Sequence, residues 1–165
     1  MIVVPYDAGW PAAFDLERAR IRAALGDVAL RIDHHGSTAV LGLAAKPIID
    51  IQISVARLQP MNAYAAALEQ LGYVHLPHAD DARCPFFHRP GEWPHTHHVH
   101  VVEAGGEEER RTLAFRDCLR AQPELAREYE ALKHRLASRF SGTDHDAQQA
   151  YSDAKTEFIE RALRA

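Results

Sequence analysis

Residues 47–55, PIIDIQISV, constrain the fold more than any other stretch of the chain. The run is apolar, rich in β-branched side chains and free of glycine, the composition of a strand. Side chains alternate along a strand, so Asp50, Gln52 and Ser54 share one face while Ile49, Ile51 and Ile53 take the other. A carboxylate flanked by isoleucines is costly to bury unless it is paired, hydrogen-bonded or metal-bound. Asp50 is therefore a candidate functional residue. The competing reading is a strand aspartate that serves structure alone.

The residues just before this strand, HHGSTAVLGLAAK (34–46), sharpen the question. Gly36 permits a positive φ or a close backbone approach. Ser37 and Thr38 offer hydroxyl and backbone N–H groups suited to a phosphate, and Lys46 offers a point cation. Chains that handle nucleotides and metals place a Gly-Ser turn ahead of a strand with two alternating carboxylates. Here the second carboxylate position holds Gln52. Taken alone, a Gly-Ser turn signals only a tight turn.

The chain carries eleven histidines, five of them between His88 and His100. In THHVHVVE (96–103), His98 and His100 share one strand face, while His97, Val99 and Val101 take the other. Two imidazoles two residues apart on a strand can bind one metal, or supply one base and one phosphate contact. The plain alternative is a solvated polar face. Arg83, His88 and Arg89 form a basic set beside a turn, suited to phosphate recognition or to an ordinary hairpin surface. Lys133, Tyr151 and Lys155 flank apolar stripes near the C-terminus, and solvated lysines are the default there.

Periodicity fills in the rest. Trp10, Phe14, Ile21 and Leu25 share a helical face that starts near Pro11 and ends at Gly26. Residues 28–33 read as a strand leading into the Gly-Ser turn. Leu58, Met61, Ala65, Leu68 and Leu71 follow at helical spacing, closed by Gly72. Residues 73–76 read as a strand and 77–84 as a polar loop. Residues 85–89 and 96–103 read as strands joined by PGEWPH, close enough for an antiparallel hairpin. A helix covers about 106–120. A second carries Leu125, Tyr129, Leu132, Leu136 and Phe140 on one face, and a third carries Ala147, Tyr151, Ala154 and Phe158. The expected architecture is one α/β (α+β) domain over 1–165: a mixed sheet flanked by helices, with a helical C-terminal third.

With 165 residues the chain can bury a real core. A net charge of −4 argues against a general nucleic-acid or membrane binder, since both want a basic surface. The first residues lack the basic region of a signal peptide and the length of a membrane span. Cys84 and Cys118 show neither metal spacing nor a disulfide framework. These features point to a cytoplasmic protein.

The segments VPYDAGWPAAF, HHGSTAVLGLAAKPIIDIQISV, FFHR, HHVHVV, LAFRDCLRAQPELAREYEALKHRLA and YSDAKTEFIERAL together resemble the GrpB family, small bacterial proteins of poorly defined activity. The resemblance runs nearly the full length. It implies a nucleotidyltransferase-like fold. In active nucleotidyltransferases the Gly-Ser turn holds a nucleoside triphosphate, and a D-x-D pair with a third strand carboxylate binds two metal ions. On this chain Gly36 and Ser37 match the turn and Asp50 matches the first carboxylate. Gln52 stands where the second would be. His98 and His100 stand on a strand where the third would be expected. Leu41 replaces a proline common in the family.

The residues and the resemblance together point to a phosphorylated small molecule as partner, a nucleoside triphosphate or another phosphorylated compound as substrate, and a divalent ion (Mg²⁺, Mn²⁺ or Zn²⁺) of unspecified identity. A neutral amide and imidazoles suit a softer ion such as Zn²⁺, Mn²⁺ or Ni²⁺ better than Mg²⁺. The expected catalytic and metal set is Asp50, His98 and His100, and the expected phosphate set is Gly36, Ser37, Thr38, Lys46 and Arg89. Two alternatives stand beside metal-dependent nucleotidyl transfer. One is a catalytically silent binding or regulatory module. The other is a histidine-triad-type nucleotide hydrolase, against which Thr96 stands where that run needs its first histidine.

Overall fold

The computed structural model describes residues 2–139 and 145–165, with the backbone alone for 145–149. The chain enters through helix α1 (Trp10–Leu25), strand β1 (Arg31–His35) and strand β2 (Ile49–Val55). Helix α2 (Asn62–Gln70), strands β3 (Val74–His75), β4 (Phe86–Arg89) and β5 (His97–Glu103) follow. Helices α3 (Glu107–Ala121), α4 (Pro123–Arg139) and α5 (His145–Arg164) close it. The sheet order is β1-β2-β5-β4-β3. β2 and β5 pair in parallel at the centre, and the other pairs are antiparallel. The expected mixed sheet and the β4–β5 hairpin are both present.

Each face of the sheet follows from strand alternation. Ile49, Ile51, Ile53, Val99, Val101 and Phe87 point to one face and meet Trp10, Phe14, Ile21 and Leu25 of α1 and Tyr64 and Leu68 of α2. This is the main core, and full burial of each such side chain contributes roughly 1.5–3 kcal/mol. Asp50, Gln52, Ser54, His98 and His100 point the opposite way, toward the C-terminal helices. A second apolar cluster there joins Val40 and Leu43 to Leu119, Tyr129, Phe158 and Ala162.

Three local expectations shift. The first strand begins at Arg31 rather than 28, because residues 26–28 form a 3-10 turn beyond the positive-φ Gly26. The strand consequently runs on to His35. Helix α2 begins at Asn62, after Pro60, so Leu58 is buried ahead of the helix rather than within it. The polar loop 77–84 contains a 3-10 turn at Ala79–Ala82. Two stripe residues, Phe140 and the side chain of Ala147, lie outside the described residues.

Candidate functional site

The polar face of the sheet assembles a row of side chains across four strands. His35 on β1 is the register partner of Asp50 on β2, Asp50 of His98 on β5, and His98 of His88 on β4. His100 lies one step along, opposite Gln52. His35, Asp50 and His100 each present one ligand atom, all within 4.8 Å of one another. The rings of His35 and His100 meet edge to face at 5.0 Å. His98 Nδ1 stands 3.6 Å from Asp50 Oδ1, and its Nε2 is 3.0 Å from His95 Nδ1. The His100 Nδ1 contacts Cys84 Sγ at 3.7 Å.

Gly36 explains how the turn comes so close to this row. Its φ is +69°, and a Cβ there would lie 2.4 Å from Asp50 Oδ2. Only a residue without a side chain lets the backbone pass the carboxylate at this distance.

Three lysines converge on the same carboxylate. Lys133 of α4 is 3% exposed, and its Nζ donates to Ser37 Oγ at 2.9 Å and to the Ala44 carbonyl. Lys46 Nζ sits 4.7 Å above the Tyr151 ring. Lys155 Nζ lies 5.2 Å from the Tyr151 ring and 6.0 Å from that of Tyr129. Burial pushes the Asp50 carboxyl up to about 6, although Lys155, Lys46 and Lys133 pull it down. Burial lowers Lys133 to about 7, helped by the charge of Lys155. Burial and Lys155 lower Lys46 to about 8. Lys155 moves the other way, raised by Tyr129 and also by Tyr151 and Asp50. A cavity of about 320 Å³ opens here, lined in part by His35, Ser37, Asp50, His100, Thr112 and Lys155.

Three imidazoles of this face, those of His35, His98 and His100, are held neutral. Burial, then the neighbouring His100 and His95, lowers His98 to about 3. Burial lowers His100 to about 4 and His35 well below its ordinary value. Neutral imidazoles have lone pairs free for a metal.

The structure thus brings together Gly36, Ser37, Lys46, Asp50, His98 and His100 from the expected set. It does not bring Thr38 or Arg89. Thr38 is buried, and its hydroxyl pairs with His34 Nε2 at 2.9 Å beside the α1 face. Arg89 points to the α1 side of the sheet, where both of its terminal nitrogens bond Glu17, at 2.8 and 3.2 Å. Alternation carries this outcome: Arg89 is two residues beyond Phe87, whose ring is in the main core. His35 lies beyond the strand that the sequence predicts over 28–33, and the observed β1, which runs to His35, brings it into the row. Lys133 and Lys155, expected as solvated lysines, instead turn inward; the signal that could have found them is their place four residues beyond the buried Tyr129 and Tyr151. Gln52 is 1% exposed, and its Nε2 has no hydrogen-bond partner.

The family model described as GrpB protein matches residues 1–165. The chain belongs to the GrpB family. It is 33% identical to the glutamate-rich protein GrpB of Alkalihalophilus pseudofirmus, over 99% of this chain and 94% of that protein. A Bacillus subtilis relative is 34% identical over 97% of this chain, which spans only 45% of that protein's length. The crystal structure of the conserved protein GrpB from Enterococcus faecalis superposes with a TM-score of 0.84 at 30% identity, covering 99% of this chain and 98% of that one. The Cid1 poly(U) polymerase superposes with a TM-score of 0.55 at 15% identity, over 83% of this chain and 45% of that one. At that identity the likeness concerns the fold alone, which is nucleotidyltransferase-like. No helix among the described residues is long and apolar enough to cross a membrane.

Proposed function

We propose that this GrpB domain binds a phosphorylated small molecule, nucleoside phosphates foremost, beside a divalent transition-metal ion. The observation that carries the reading is charge: one half-buried carboxylate, Asp50, faces Lys46, Lys133 and Lys155 at the rim of a cavity. The charges of Lys46 and Lys155 against this one carboxylate favour a further anion, and phosphate groups supply the charge.

The donor set fits a metal. His35 Nε2 is buried and has no hydrogen-bond partner, an orphan that a ligated ion would satisfy. Two imidazoles and one carboxylate suit Zn²⁺, Mn²⁺ or Fe²⁺ better than a pair of Mg²⁺ ions. His35, Asp50 and His100 would hold the ion, which when bound polarises a phosphoryl oxygen. Lys46 and Lys155 would neutralise phosphate charge. His98, between Asp50 and His95, would hold or pass a proton at Nε2. Metal-dependent nucleotidyl transfer is the reaction class these parts serve.

Thermal-shift measurements with nucleotides and sugar phosphates, each with and without Zn²⁺ or Mn²⁺, test the reading. Binding to the native state raises Tm by mass action, by several degrees at about a hundred times Kd. The expected outcome is a shift in the wild type that Asp50→Ala and Lys155→Ala lose. If no phosphorylated compound shifts the wild type, the reading fails. The buried Gln52 favours a second reading, a binding module without turnover. A nucleotide that binds tightly and is recovered intact with every metal would select it.

A further inference from the structure

We propose that Ser37 and Lys133 form a nucleophile–base pair, and that the domain transfers the phosphoryl group of its ligand through a covalent bond to Ser37. The geometry points there first. Lys133 is buried, and among the described residues no carboxylate is in direct contact with it; Glu130 and Asp50 act on it from farther off, against the charges of Lys155 and Lys46. Its partners are the Ser37 hydroxyl, the Ala44 carbonyl and the ring of Tyr129. A buried ammonium without a direct carboxylate partner is costly, and the free amine is the form such a site favours. A free amine has two N–H bonds and one lone pair. One N–H serves the Ala44 carbonyl. Across the 2.9 Å contact in which the ammonium donates to Ser37 Oγ, the free amine would present its lone pair and the hydroxyl would become the donor. A nucleophile within hydrogen-bond reach of a base, open to a cavity, is the arrangement that activates a serine.

The surroundings separate the roles of the lysines. Lys155 lies under Tyr129 and Tyr151 and beside Asp50, which hold it charged, whereas burial brings Lys133 down to about 7. Neighbouring titratable groups driven apart in this way divide the labour between charge stabiliser and base. Ser37 is half-buried and lines the 320 Å³ cavity together with Asp50, His100 and Lys155. An electrophile there meets cationic groups, so a phosphoryl centre fits better than a neutral one.

The step balances as follows in atoms. Ser37 Oγ forms a bond to phosphorus, and its proton passes to Lys133 Nζ. The bond from phosphorus to the leaving oxygen breaks with its electron pair, and that oxygen takes the proton from Lys133. An acceptor hydroxyl or water then attacks the serine-bound phosphorus by the reverse route. No redox partner is required.

The proposal rests on the phosphate-ligand reading only for the class of electrophile, and its test is independent of the natural ligand. The purified chain is incubated with an alkyl fluorophosphonate, which loses fluoride as the serine oxygen bonds phosphorus. Intact mass and peptide mapping locate the adduct. The expected result is one adduct per chain, on Ser37, absent in Ser37→Ala. Lys133→Met removes the base with similar volume, and labelling should slow by roughly 100-fold. Lys133→Arg keeps a cation that cannot accept the proton and should be as slow, which separates a base from a merely charged or structural neighbour. An unlabelled wild type, an adduct elsewhere, or wild-type labelling rates in Lys133→Arg would overturn the proposal. Nucleotide thermal shifts in a wild type that takes no adduct at Ser37 would leave the binding reading standing while this one fell.

Discussion

Asp50 shows how one residue can be wrong for stability and right for a site. Its carboxyl is raised to about 6 against an ordinary value near 3.8. A raised carboxyl contributes its stability below the unfolded value and loses it as pH rises through about 6. Asp50→Asn should therefore stabilise the fold at pH 8, by up to about 3 kcal/mol, and do little at pH 4. Urea melts at the two pH values check this, and an equal effect at both would refute it. Gly36 is the complementary case. Gly36→Ala places a methyl 2.4 Å from Asp50 Oδ2 at a left-handed φ. It should cost about 2 kcal/mol or more and weaken the proposed metal and nucleotide binding together, as melts and titrations of the variant would show.

At the scale of elements, α1 and β4 are fastened by charge rather than by oil alone. Glu17 is 2% exposed and bonds Arg89, Arg20 and the Tyr73 hydroxyl. Removing one partner of a buried pair leaves the other poorly compensated. Arg89→Met should lower stability by about 2–3 kcal/mol yet leave the proposed nucleotide binding unchanged, because Arg89 is on the far side of the sheet from Asp50. Chemical denaturation paired with a binding titration reads both outcomes. A loss of binding with unchanged stability would restore Arg89 to the phosphate set. The basic set near the hairpin was legible as charge. Which face Arg89 points to follows from the alternation that buries Phe87 in the main core and sets the half-buried His97 beside Arg89.

The whole molecule folds around neutral imidazoles on both faces of its sheet. Burial lowers His34 to about 4, His98 to about 3 and His100 to about 4, and carries His35 well down. Lowered histidines contribute stability above about 6.5, and that stability is lost as pH falls toward 4, since the unfolded chain takes up protons the folded chain refuses. Asp50 opposes this between about 4 and 6, but it is one group against four. Stability should fall with acid by at least about 2 kcal/mol per pH unit near pH 5, measured as the midpoint of urea unfolding from pH 7 to pH 4.5. A flat profile would mean that the histidines are protonated in the native state.

The sequence by itself determined the elements and most of the family of interactions that build them. The period-2 pattern of residues 47–55 and 96–103 decided which side chains share a face, and helical stripes marked α1, α4 and α5. Those signals are local, so they are written in consecutive residues. Asp50, His98 and His100 could be grouped because each grouping needed only the strand repeat and the resemblance to known proteins. The tertiary structure alone decided that β2 lies parallel to β5 and antiparallel to β1, which sets His35 opposite Asp50. It alone brought Lys133 and Lys155, separated from Ser37 by about a hundred residues or more of chain, onto one carboxylate. Strand register and helix docking depend on contacts between distant segments, and no periodicity within either segment encodes them.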